Sequence, residues 1–359
     1  MTKFVKNKKV MKILLKTQRK SLSLKSRELA QLIGVDQALI SKFESGERIP
    51  TEAQVKSLEE VLKIQDKRLT VLWLKEKILQ ELNYHPNASD AIQLVQEEIA
   101  SYSNQTKLEL ADDINHLLIE IDALKSKLDK IRQLDSFRIT EALELEYTFE
   151  SNRIEGNTLT LQETDLVINE GLTISGKSMR EHLEAVNHNE AIEYIKDLMK
   201  RNISMNEREL LVVHNLILRG IMPEHAGKYR NVQVMIKGSS HMPPQPFLVP
   251  KQMEDLFVWY AQAKNQLHPV VLAAEMHERL VTIHPFIDGN GRTSRLLMNL
   301  ILLSSGFVIA NIKGDYESRK AYYTALESVQ VNKSKDEFIR LVAKVEKECL
   351  ERYLSILSN

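Results

Sequence analysis

Two apolar helical runs, one spanning residues 270–280 and the other 292–303, are interrupted by a stretch that neither can absorb. That stretch is His284-Pro285-Phe286-Ile287-Asp288-Gly289-Asn290-Gly291-Arg292. Pro285 disfavours helix at His284, so the first run stops there. Gly289 and Gly291 allow a tight turn and a close backbone approach to a ligand. Backbone N–H groups in such a turn, opening a helix, form an anion site. Arg292 and Arg295 are three residues apart and share one face of the new helix. Guanidinium groups there can grip phosphate oxygens in bidentate fashion. Asp288 is a hard oxygen donor suited to Mg²⁺, which binds through one or two carboxylates plus substrate phosphates. His284 titrates near neutrality and can accept a proton from an attacking hydroxyl. Each residue alone suits an ordinary helix start. Together, at this spacing, they read as a phosphate-transfer site on a loop between two helices.

The stretch resembles the signature of the Fic family, HPFx(D/E)GNGRxxR, with every fixed position filled. Most members transfer AMP from ATP to a hydroxyl side chain of a target protein. The resemblance makes His284 the general base and places Mg²⁺ on Asp288. It assigns the phosphates to Gly289, Asn290, Gly291, Arg292 and Arg295. The two glycines favour AMP transfer over the family's phosphate-transferring branch, although the signature does not choose the base of the nucleotide. The same resemblance implies an all-α bundle with the active loop joining two central helices.

Two further segments fit this frame. Ser151-Asn152-Arg153-Ile154-Glu155-Gly156-Asn157 is similar to the family's inhibitory helix, (S/T)xxxE(G/N). On residue grounds alone it is a helix ending in a favoured C′ glycine, followed by a capping box at Thr160 and Glu163. By resemblance, Ser151 and Glu155 mark an inhibitory helix over residues 147–156, and Glu155 pairs with Arg295 where the γ-phosphate belongs. Glu155 could also position a water and reverse the modification. The alternation of Val232, Val234 and Ile236 predicts a strand, with Gly238-Ser239-Ser240 as the turn and Pro243-Pro244 as the stop. An open hairpin edge can pair with an extended peptide. It resembles the Fic flap, with Ile236, Lys237 and Gly238 towards the nucleotide, and it equally suits a plain surface hairpin. Tyr322 and Tyr323 lie where the family sets a tyrosine against adenine, or else in the core.

Overall charge is uninformative: the 359 residues hold 49 basic and 49 acidic side chains. Residues 1–50 differ, with twelve basic against four acidic side chains. Leu29, Ala30, Leu32 and Ile33 predict one short packed helix. Gly34 predicts the turn, and Asp36 caps a second helix anchored by Ile40. Gln37, Ala38, Ser41 and Lys42 then face outward, as in the recognition helix of a Cro/repressor-type helix-turn-helix, which this segment resembles. DNA is the expected partner; a protein-contact module is the alternative. Leu117, Ile121, Leu124, Leu128 and Ile131 form a two-heptad seam, which predicts a stalk or hairpin and leaves self-association as a homodimer open. No apolar run reaches the ~18 residues of a membrane span. A lone cysteine, Cys349, excludes an internal disulfide framework and fits a reducing cytoplasm.

The expected organisation is all-α apart from the small β-hairpin flap. It comprises a DNA-binding head over 1–65, a helical linker or stalk over 66–135 and a catalytic domain over 136–359. The expected function is an autoinhibited, ATP- and Mg²⁺-dependent protein adenylyltransferase acting on a hydroxyl-bearing target docked on the flap, and also on itself. The competing expectation is a transcriptional regulator whose catalytic core serves as a nucleotide sensor.

Overall fold

The computed structural model describes residues 10–64, 67–83, 85–95, 110–134, 137–236, 238–332 and 334–358. The chain divides into two compact units, residues 1–100 and 101–359. No strand occurs among the described residues, and both units are built from helices.

The first unit contains α1 (Val10–Ser21), α2 (Ser26–Leu32), α3 (Gln37–Ser45), α4 (Glu52–Val61) and α5 (Arg68–Leu82). Gly34, with φ of +69°, makes the turn between α2 and α3, a conformation that costs a side chain with Cβ. Asp36 caps α3 by accepting from the Leu39 N–H at 2.7 Å, a contact worth about 1 kcal/mol. Ile40 and Phe43 bury the inner face of α3 against Leu29 and Ala30. Leu32, expected in that core, is instead 59% exposed, because α2 ends there and its last turn points outward. Arg19 clamps α3 through both oxygens of Glu44, at 2.5 and 2.8 Å. Gln37, Ala38, Ser41 and Lys42 are all exposed on the opposite face. Helix α5 belongs to this unit: Leu69 and Trp73 are buried in its core, and the Trp73 indole donates to Pro50 O at 2.8 Å.

The second unit contains α6 (Asp112–Ile131), α7 (Phe137–Ile154), α8 (Leu161–Asn169), α9 (Met179–Lys200), α10 (Glu207–Leu218), α11 (Val249–Ala263), α12 (Pro269–Ile283), α13 (Asn290–Ser304), α14 (Tyr316–Asn332) and α15 (Asp336–Ser358). Helices α12 and α13 form the central antiparallel pair, and nearly all of their residues are buried. Helices α7, α9 and α10 pack on α13, while α11 and α15 pack on α12. The heptad seam on α6 lies in this core against α15, so it is spent within the chain and not free for a second copy. The expected 66–135 stalk is therefore divided: α5 joins the first unit and α6 the second.

Residues 232–236 do not form the expected strand. Their alternation is real, but the returning arm carries Pro243-Pro244, which has no N–H to donate to a ladder. Side chains hold the two arms instead. Gln233 Nε2 donates to Pro243 O at 2.9 Å, and Arg230 Nη2 donates to Pro244 O at 2.6 Å. Lys237 lies outside the described residues.

Candidate active site

The loop between α12 and α13 is set by three local choices. His284 closes α12 in the left-handed region (φ 50°, ψ 59°), its N–H donating to Leu280 O at 2.9 Å. A residue with Cβ held there costs on the order of 1–3 kcal/mol. Asn290 then staples the loop to itself: it accepts from the Phe286 N–H at 3.0 Å and donates back to Phe286 O at 2.9 Å. Gly289 adopts φ +79°, where a Cβ would press Ile217 at 3.2 Å and His214 at 3.4 Å. Asn290, expected to cradle phosphate, therefore spends its side chain shaping the cradle. The backbone groups left to meet an anion are the first N–H groups of α13, which have no intrahelical partner.

Two side chains that the sequence did not single out carry this loop. The His214 ring stacks on Phe286 at 3.6 Å, nearly parallel. Its Nδ1 accepts from the Gly227 N–H at 3.0 Å, so Nε2 bears the proton and donates to Asp288 O at 2.9 Å. Burial lowers its pKa to about 4, which keeps that tautomer neutral. Arg230 is 3% exposed, and each of its four nitrogens donates to a carbonyl. Its backbone N–H reaches Pro285 O at 2.9 Å, Nε reaches His284 O at 2.8 Å, and Nη1 reaches Val232 O at 3.0 Å, beside the Pro244 bond. It ties the 231–244 segment directly to the loop. His241 adds a second tie, to Thr282 O at 2.8 Å. Both histidine and arginine sit in unremarkable sequence contexts, so only tertiary packing reveals them.

His284 itself carries a neutral ring. Burial pushes its pKa down to about 4. Its Nδ1 is buried, which leaves Nε2 as the nitrogen a proton from outside can reach. Burial works to raise the Asp288 pKa but is outweighed by Arg292, the Gly289 N–H and Arg180, so the carboxylate stays ionised. Among the described residues no three His, Cys, Asp or Glu side chains gather as a metal-binding group. Asp288, with its side chain 32% exposed, fits a hard divalent ion that takes one carboxylate and draws its other ligands from phosphates and water.

The two arginines of α13 are almost wholly buried: Arg292 is 2% exposed and Arg295 1%. Arg292 faces Glu184 Oε1 at 3.3 Å and Asp288 Oδ1 at 3.4 Å. Its Nε has no hydrogen-bond partner among the described residues. Arg295 is fully engaged. Its Nη2 donates to Glu155 Oε1 at 2.7 Å and Ser151 O at 2.9 Å, its Nε to Ser151 Oγ at 3.0 Å, and its Nη1 to Tyr322 OH at 3.4 Å. Glu155 thus arrives from 140 residues away. It follows the C-terminus of α7, where the helix dipole disfavours a carboxylate by roughly 0.3–1 kcal/mol. Asn152 and Asn157 fix that helix end to α9, through Glu184 O at 3.2 Å and Glu184 Oε2 at 3.0 Å. A Cβ on residue 291 would lie 2.4 Å from Glu155 Oε1. Glycine there leaves the room that the carboxylate occupies, over the opening turn of α13.

The remaining expected residues divide. Tyr322 is 1% exposed, with its hydroxyl between Arg295 and His277 Nε2 at 3.1 Å. It cannot stack on a nucleotide base; it belongs to the core and orients Arg295. Tyr323 is 45% exposed, and its hydroxyl donates to Ile154 O at 3.3 Å, so its ring stays at the mouth of the site. Ile236 is half-buried and Gly238 exposed, in the loop tied by Arg230.

Residues 204–302 match the Fic/DOC family, and residues 15–66 match a helix-turn-helix family. The chain is 35% identical over 243 residues to a protein adenylyltransferase Fic of Nematostella vectensis, covering 67% of this chain and 56% of that protein. A solved Fic family protein from Desulfovibrio desulfuricans G20 superposes with a TM-score of 0.62 at 27% identity, covering 69% of this chain and 76% of that one. Fic-1 (aa134–508) from Caenorhabditis elegans shares the fold, with a TM-score of 0.61 at 23% identity, covering 98% of this chain and 99% of that one. The chain spans about half the length of the curated relatives it matches, at 56%, 50% and 48%.

Proposed function

We propose, from the match of residues 204–302 to the Fic/DOC family and of residues 15–66 to a helix-turn-helix family, that the chain is a protein adenylyltransferase held in check by its own Glu155. The observation that carries this reading is the single contact of Glu155 with Arg295 at 2.7 Å, over the opening turn of α13. The substrates are ATP and a Ser, Thr or Tyr hydroxyl of a target protein. His284 accepts the hydroxyl proton as the oxygen attacks the α-phosphorus. The bond from that phosphorus to the β-bridging oxygen breaks, and pyrophosphate leaves. The N–H groups opening α13, with Arg292 and Arg295, meet the charge that builds on the phosphates. A divalent ion on Asp288 would neutralise part of that charge. The relatives named as adenylyltransferases support AMP as the transferred group.

Glu155 and a γ-phosphate compete for one buried guanidinium. While the carboxylate holds Arg295, ATP lacks that grip and lies out of line. The 231–244 loop presents the acceptor: it borders the catalytic histidine through Arg230 and His241. Its unladdered backbone leaves N–H and C=O groups for an incoming peptide. The exposed, outward face of α3 with Gln37, Ala38, Ser41 and Lys42 supports binding of the first unit in a DNA major groove.

The test uses ATP labelled at either the α- or the γ-phosphate, with wild type and Glu155→Ala. We expect α-label to enter protein, weakly in wild type and strongly in Glu155→Ala. Transfer of γ-label alone sinks AMP transfer, and equal labelling of the two proteins sinks the inhibitory role.

A further inference from the structure

Three cationic or N–H groups hold the Asp288 carboxylate, and they differ in how firmly they are built in. Oδ1 accepts from the Gly289 N–H at 2.6 Å and faces Arg292 Nη2 at 3.4 Å; Arg292 is buried and part of α13. Oδ2 is taken by one group only among the described residues, Arg180 Nη2 at 2.6 Å. Arg180 comes from the first turn of α9, and its side chain is 53% exposed. Its Nε also rests on Glu184 Oε1 at 3.1 Å, four residues along the same helix. Glu184 stays in place without it, through Arg292 and Asn157. The long side chain can therefore leave Oδ2 without unmaking anything else in the site.

We infer that Arg180 is a displaceable counter-ion that occupies Oδ2 of Asp288 in the resting protein, so that a divalent cation binds the carboxylate in competition with it. The inference rests on the reading that Asp288 is the metal ligand. A guanidinium donating to Oδ2 uses one of that oxygen's lone pairs and, as a cation, repels a divalent ion that would sit ~2.0–2.1 Å from the same oxygen. Arginine cannot be neutralised by deprotonation, so movement is the only way to clear the position. Metal entry and ATP entry are then guarded separately: Arg180 stands at Asp288, and Glu155 at Arg295. The resting site carries an internal substitute for each charged partner, a cation for the metal and an anion for the terminal phosphate.

The test is a Mn²⁺ titration of the full chain without nucleotide, reading free Mn²⁺ by its electron paramagnetic resonance signal into the millimolar range. Wild type, Arg180→Met, Arg180→Lys and Arg180→Met/Asp288→Ala are compared, with circular dichroism to verify folding. Removing a half-exposed ion pair should tighten Mn²⁺ binding in Arg180→Met by roughly 2- to 10-fold. Arg180→Lys should stay close to wild type, and the double variant should lose the site. If Arg180→Met binds no tighter than wild type, or shows no binding at all, the counter-ion role is overturned. If the double variant binds as well as Arg180→Met, the assignment of the metal to Asp288 is what fails.

Discussion

Replacing Glu155 by Ala should destabilise the ATP-free protein and make it more responsive to ATP. Arg295 is 1% exposed, and Glu155 supplies its only carboxylate among the described residues, at 2.7 Å. Removing one partner of a fully buried pair costs about 3–5 kcal/mol. Two features reduce that here. The Glu155 side chain is 31% exposed, which moves the pair towards the ~1 kcal/mol of solvated bridges. Arg295 also keeps its bonds to Ser151 O, Ser151 Oγ and Tyr322 OH. Relief of the carboxylate at the end of α7 returns about 0.3–1 kcal/mol. The expected net loss is about 1–2 kcal/mol, which for a unit of this size is a fall of roughly 2–8 °C in Tm. Saturating ATP should then raise the Tm of Glu155→Ala by more than it raises that of wild type, because a phosphate replaces the missing anion. Differential scanning fluorimetry with and without ATP reads both effects. A variant as stable as wild type without ATP, or one that gains no more from ATP, refutes the competition of carboxylate and phosphate for Arg295.

Burial lowers the His284 pKa to about 4, so the neutral, proton-accepting form dominates at every pH above that value. Nitrogen-15 spectra of the histidine rings, assigned against His284→Asn, should show this ring uncharged at pH 6; a midpoint near the ordinary ~6.5 contradicts it. Arg230→Lys loses the fork that joins His284 O, Val232 O and Pro244 O. Labelling of a target peptide should fall at least about tenfold while ATP affinity holds, and equal losses in both would place Arg230 in nucleotide binding instead. Lys42→Ala in the head should weaken binding to the protein's own promoter DNA and lower the salt slope by about one; an unchanged slope removes Lys42 from the phosphate contacts.

What could be read in advance follows from how far apart the cooperating residues lie. The loop His284–Arg292 was legible because its chemistry and its turn formers are contiguous, and Gly34, Asp36 and Ile40 sit in the head as their residue types predict. Glu155 was legible only by resemblance, since no local rule links it to an arginine 140 residues away. His214, Arg230 and Arg180 act through tertiary contacts with main-chain carbonyls and one carboxylate, and no periodicity marks them. The alternation of Val232, Val234 and Ile236 misled because a strand needs a partner, and Pro243-Pro244 denies it one. For Tyr322 the residue type suits a base stack and a core position equally, and only its place on α14 decides for the core.

The central claim is that His284 drives transfer of AMP at a site that Glu155 blocks. Intact-protein mass spectrometry of Glu155→Ala and Glu155→Ala/His284→Ala, each incubated with ATP and Mg²⁺, addresses it most directly. The account predicts an AMP adduct on the single variant and none on the double variant. An adduct that survives loss of His284, or a phosphoryl adduct in place of AMP, contradicts it.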